Sequence, residues 1–152
     1  MKEIRMQISN LIIVVGALAL PGHSGAVRAT EIQSERGALE QCGAHSEAGM
    51  RECLAKMSHE SSTALKRAEA QAIAALSKWD EDAKYVNLAK EKLRASSKAY
   101  EQYRDAQCAF ASSLGGGAIG DALEMRRLSC LVGLNAGRTK QLNTDSSTLP
   151  AR

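Results

Sequence analysis

Cys108 and Cys130 stand on either side of Gly115-Gly116-Gly117, in a stretch whose apolar residues otherwise recur at helical spacing. Consecutive glycines end a helix, because they adopt left-handed dihedrals freely and lose the most entropy when held helical. The chain is therefore expected to reverse between the two cysteines. An antiparallel helix pair joined there brings them within disulfide reach, which needs α-carbons about 4.4–6.8 Å apart. Cys42 precedes the first long helical segment and Cys53 lies inside it. Four cysteines allow three connectivities. Loop closure favours the local links, so Cys42–Cys53 with Cys108–Cys130 is the preferred pairing, with cross-links between the two terminal pairs as the rival.

All four cysteines follow an uncharged apolar run, Leu11–Leu20, that is preceded by Lys2 and Arg5 and followed by Ser24-Gly25-Ala26 and Val27-Arg28-Ala29. A positive start, a short apolar run and small residues before a cut make a secretory signal over residues 1–29, with the mature chain beginning near Ala26–Thr30. The run is half the roughly 20 residues that cross a bilayer, so no membrane insertion is expected after cleavage. Export places the cysteines in an oxidising compartment, periplasmic or secreted, where they serve as structural disulfides. Losing residues 1–29 takes away Lys2, Arg5, Arg28 and Glu3 and leaves 17 basic and 16 acidic side chains, a net charge of +1. That balance lacks the clustered positive field that nucleic acid requires.

The mature chain is one domain with a core built mostly from alanine and leucine, which buries little area per residue. Periodicity predicts three helices. The first runs from about Ala48 to Trp79, with Leu54, Met57, Ser61, Leu65, Ala68, Ala72, Leu76 and Trp79 on one face. The second runs from about Ala83 to Leu114, with the stripe Val86, Ala89, Leu93, Ser96, Tyr100, Tyr103, Gln107, Phe110 and Leu114. The third runs from about Ile119 to Leu142, with Leu123, Cys130, Leu131, Leu134 and Leu142 facing inward. Residues Thr30–Ala38 read as a loose leader and Asn143–Arg152 as a disordered polar tail. The fold class is all-α: a small antiparallel bundle of three helices, or four, stapled by two disulfides.

Chemistry is sparse. His23 lies in the signal, and His45 and His59 lie near the start of the first helix. Cys42 and His45 alone are too few for zinc, so no metal is expected, and His45 reads as a solvent-facing loop residue. Neither a nucleophile elbow nor a phosphate-cradling loop is present, so neither an enzyme nor a cofactor is expected.

The stretch Leu93-Arg94-Ala95-Ser96-Ser97-Lys98-Ala99-Tyr100-Glu101-Gln102-Tyr103-Arg104-Asp105-Ala106-Gln107-Cys108 resembles the most characteristic part of the lysozyme inhibitor LprI N-terminal domain family. That part typically ends in Tyr-Arg-Asp-Ala-Glu-Cys and is followed by a glycine-rich turn, a cysteine, an Arg and a Leu. Here those are Gly115–Gly117, Cys130, Arg138 and Leu142, while Cys42 and Cys53-Leu54 match the upstream cysteines. The likeness covers residues 39–142. Tyr100 stands where the family usually has Trp, Ser97 where it has Gln, Lys66 where an Asn is common, and Asn135 where it has Thr.

The resemblance implies an exported protein that binds a muramidase such as a lysozyme and blocks its cleft. A lysozyme cleft holds an acidic pair, and Gly115, Gly116 and Gly117 with Ser112 and Ser113 make the most insertable, donor-rich piece of this chain. Tyr103 and Arg104 come next. Tyr103-Arg104-Asp105 also has a purely structural reading, with Arg104 bridging to a carboxylate on another helix over a packed Tyr103 and Arg138 bridging in the same way. The competing class is a periplasmic structural or adaptor module that docks an envelope protein.

Overall fold

The structure, a computed structural model, describes residues 34–118 and 120–151. The expected signal at 1–29, with His23, lies outside these residues, as do 30–33 of the leader and Ile119. The described residues form four helices, α1 (Glu35–Cys42), α2 (Glu47–Lys78), α3 (Ala83–Ser113) and α4 (Ala122–Ser147), with no strand among them beyond an isolated bridge. The chain is an all-α bundle with two disulfides. Cys42 is linked to Cys53 and Cys108 to Cys130, with α-carbons 5.7 and 5.5 Å apart.

α2 starts at Ser46, whose hydroxyl accepts from the Gly49 N–H, and its stripe Leu54, Leu65, Ala68, Ala72 and Leu76 is buried. A Ser or Asp at a helix start satisfies amide groups that have no partner inside the helix. α2 packs along α4, and α3 covers the seam between them. The apolar core falls into two clusters. One gathers Ala38, Cys42, Leu54, Leu128 and Val132, and the other gathers Leu65, Ala68 and Leu142 with Leu93 and Tyr100 against them.

Four sequence expectations of the fold are corrected. First, residues 35–38 are not a loose leader but the start of α1, capped by the Ser34 hydroxyl, which accepts from the Gly37 N–H. Gly133 on α4 permits this, since a Cβ there would stand 3.0 Å from the Glu35 amide nitrogen. Second, α4 continues beyond Leu142 to Ser147. The residues after it turn back, with the Pro150 carbonyl accepting from the Asp80 N–H at 3.0 Å and Ala151 bridging to Trp79. Third, the expected stripe of α3 is only partly inward. Of this helix only Val86 and Cys108 are buried, while Tyr103, Phe110 and Leu114 are 54%, 57% and 62% exposed.

The expected apolar side of α4 is also incomplete. Leu128, Ser129, Val132 and Asn135 are buried there, none of which the stripe through Leu123, Leu131 and Leu134 includes. Asn135 is fully buried and its amide is satisfied from two helices. Its Nδ2 donates to Ser61 Oγ and Ser62 Oγ on α2, both at 3.1 Å, and its Oδ1 accepts from Arg104 Nη1 on α3 at 3.4 Å. Buried polar groups cost little only when partnered, so this network fixes the register of all three long helices.

Tyr100, half-buried, donates its hydroxyl to the Leu134 carbonyl at 2.7 Å, and Arg138 lies over its ring at 5.4 Å. Burial raises its phenol above the ordinary tyrosine value, opposed by the nearby Arg104 and Arg138 cations. Tyr100→Phe keeps the ring and removes the donor, so it is expected to lower stability by about 1 kcal/mol in thermal or urea unfolding. An unchanged midpoint would mean that the helix pairing does not use this bond.

Candidate functional site

The α3–α4 turn is both exposed and fixed. Gly116 has φ +57° and Gly120 φ +71°, backbone that side chains rarely tolerate, so glycine is required at both ends of the tip. Gly116, Gly117 and Ala118 are exposed, and the Gly117 N–H has no hydrogen-bond partner among the described residues. Beneath the tip the turn is tied at three points. The Ser112 hydroxyl donates across it to the Leu123 carbonyl at 2.9 Å. Glu47 Oε1 on α2 accepts from the Asp121 N–H at 3.2 Å, and Arg51 Nε pairs with Asp121 Oδ2 at 3.2 Å. The Cys108–Cys130 link closes the base.

The expected site residues therefore divide. Gly115, Gly116 and Gly117 sit together at one end of the bundle. Gly115 is packed close, since a Cβ there would run into the Leu123 side chain. Ser112 and Ser113 flank them, but neither hydroxyl is a free donor: Ser113 donates to the Phe110 carbonyl at 2.7 Å, and Ser112 is the cross-tie just described. Their role is to shape the turn. Tyr103 and Arg104 lie roughly 12–18 Å further down α3, at 1.5 Å per residue, and do not join the loop.

Arg104 corrects the sequence reading twice. Its guanidinium bonds its own neighbour, with Nε and Nη2 to Asp105 Oδ1 at 2.9 and 2.7 Å, and reaches Asn135 rather than a carboxylate on another helix. Its side chain is only 16% exposed, so it serves the interhelical network and has little left for a partner. Tyr103 is not packed beneath it but stands largely in solvent. Arg138 does bridge helices, donating from Nη2 to Ser96 Oγ on α3 at 2.8 Å.

The sequence reading misses Arg126. It stands exposed just past the first turn of α4, its Cδ 3.6 Å from where a Cβ on Gly115 would be. Its neighbour Arg127 is held by Glu124 at 2.6–2.8 Å, a contact that lowers the Glu124 carboxyl and raises the Arg127 guanidinium from their ordinary values. Arg126 has no carboxylate partner among the described residues. The signal was legible: two arginines follow the turn, while the one acid in that first turn, Glu124, sits three residues before Arg127. No group of three metal-binding side chains occurs among the described residues, and His45 is exposed in the α1–α2 turn. No helix among them is long and apolar enough to cross a membrane.

Comparison with protein families matches residues 40–142, about two thirds of the chain, to the family described as lysozyme inhibitor LprI. No curated protein and no solved structure matches.

Proposed function

The chain belongs to the lysozyme inhibitor LprI family, and on that premise we propose that it is an exported inhibitor that lays its α3–α4 turn into the cleft of a muramidase. One observation carries the choice of surface: the turn is exposed at its tip and clamped at its base. A loop already held in shape loses little entropy on binding, so more of its contact energy appears as affinity. A tip of glycines is also slender enough for a groove that admits a polysaccharide chain.

The chemistry is complementary. Muramidase cleavage uses two carboxyl groups flanking the scissile bond. The Gly117 N–H and the Arg126 guanidinium, neither partnered among the described residues, both belong to this end of the bundle, with Arg126 packed against Gly115, and hydrogen bonds to a charged carboxylate are the stronger kind. Tyr103 and Phe110 extend the contact down α3 at most as a rim. Arg126→Ala removes one charge-assisted contact worth about 1.5–3 kcal/mol, so inhibition is expected to weaken roughly 10- to 100-fold while the unfolding midpoint stays put. Undiminished inhibition would move the contact off this end of the bundle.

A further inference from the structure

We propose that the groove between the C-terminal half of α4 and the first turns of α3 binds a single-chain amphiphilic anion, a medium-chain fatty acid. The groove has a volume of about 350 Å³, within the range of small-molecule sites, and lies where α2, α3 and α4 meet. Leu76 and Leu142 are buried at its floor, and Ala89, Leu93 and Leu149 are half-buried along its walls. The tail walls its far end. Leu149 lines the groove, and the chain beyond it is tied to the α2–α3 turn by the Pro150 carbonyl, which accepts from the Asp80 N–H. Arg138 lines the other end, roughly 16 Å from Leu149 at 1.5 Å per residue. A blind apolar groove of that length suits one extended alkyl chain.

Charge selects the headgroup. Arg138 and Lys92 both line the groove, and neither forms an ion pair among the described residues. The Arg138 guanidinium is held across the α3–α4 seam by neutral groups, with Nη1 to Gln141 Oε1 at 2.9 Å and Nη2 to Ser96 Oγ at 2.8 Å. Its Nε is shielded from solvent and has no acceptor among the described residues. The fold thus positions a cation, leaves its charge without an anion, and leaves N–H groups of the guanidinium unused. Asp145, the one acid that lines the groove, is exposed and stands about two turns beyond Arg138 toward the tail. A carboxylate at the Arg138 end gains charge-assisted hydrogen bonds, roughly twice as strong as neutral ones. The alkyl chain then runs over Leu93 and Leu142 and removes their remaining apolar surface from water. The site lies roughly 24 Å along α4 from its first residue, so it stands apart from the glycine turn and does not depend on the inhibitory reading.

Isothermal titration calorimetry of the mature, oxidised chain with decanoate, kept below its micelle concentration, tests this. One saturable site is expected, with Kd on the order of 10–100 µM, as the efficiency of a small ligand allows. Decanol lacks the charge and decylamine reverses it. Each is expected to bind at least about tenfold more weakly, as loss of a charge-assisted contact predicts. Ala89→Phe fills the groove and is expected to abolish decanoate binding, with helicity by circular dichroism unchanged. Arg138→Gln keeps a hydrogen-bonding amide at the seam and is expected to bring decanoate down to the affinity of decanol. A parent with no saturable decanoate site overturns the proposal. So does equal binding of decanol or decylamine, which would make the groove an apolar surface without selection. Decanoate binding that survives Ala89→Phe also overturns it, because the ligand then sits elsewhere.

Discussion

Mature protein with Cys108 and Cys130 both replaced by alanine is expected to unfold with about 3 kcal/mol less stability than the parent, and to lose most of the proposed muramidase inhibition at physiological temperature. The link closes a loop spanning 22 residues, and removing it frees the unfolded chain by about that amount in the chain-entropy account. For a chain of this size the midpoint falls by roughly 10 °C. The loss matters more here than in a larger domain. Among the described residues the buried apolar ones are three cysteines, three alanines, two valines and five leucines, with no buried aromatic ring. Thermal unfolding with thiol titration of the parent checks it. A midpoint shift under about 2 °C would mean that the α3–α4 pairing is held without the disulfide.

The second large effect concerns the turn. Replacing Ser112, Ser113 and Gly115–Gly117 with a neutral flexible linker of equal length is expected to abolish inhibition while helicity is retained. The swap removes the Ser112 cross-tie to Leu123 and the left-handed Gly116 together, so the tip loses both its shape and its presented N–H. Ordering a loosened loop costs about 1–2 kcal/mol per residue, enough over five residues to cancel the affinity of a modest complex. Inhibition that survives the swap would shift the contact to Tyr103 and its flank of α3.

Much of the fold is legible from residue order, and what is not has identifiable causes. The glycine triplet ends α3, and the absence of Gly and Pro after Gly49 lets α2 run unbroken to Lys78. α1 escapes a periodicity reading because eight residues hold little more than two turns, and its stability comes from Ser34, the Cys42–Cys53 link and the close approach that Gly133 allows. The end of α4 escapes because Asn143–Ser147 is polar throughout, and the signal for its continuation is the return of Pro150 to Asp80, which is a tertiary event.

The α3 stripe fails for a geometric reason. Residues chosen at seven-residue steps drift about 20° per heptad on a straight helix, so a line that starts buried at Val86 emerges roughly 80° round at Leu114. Asn135 was readable in principle, since it continues the spacing of Leu128 and Val132, but its polarity removed it from an apolar stripe. The candidate site was legible as the glycine turn and illegible in its details. That Ser112 faces inward and that Arg127, not Arg126, takes Glu124 are consequences of packing.

If the oxidised mature chain occupies the cleft of a muramidase, it competes there with the polysaccharide. Steady-state hydrolysis of cell-wall substrate by a panel of lysozymes, at several substrate and inhibitor concentrations, is paired with displacement of the bound chain from the lysozyme by a chito-oligosaccharide. Inhibition is expected at micromolar concentration or tighter against at least one lysozyme, raising KM with kcat unchanged, and the oligosaccharide is expected to displace the chain. Absence of inhibition across the panel, or a chain that stays bound while the oligosaccharide fills the cleft, would overturn the proposed function.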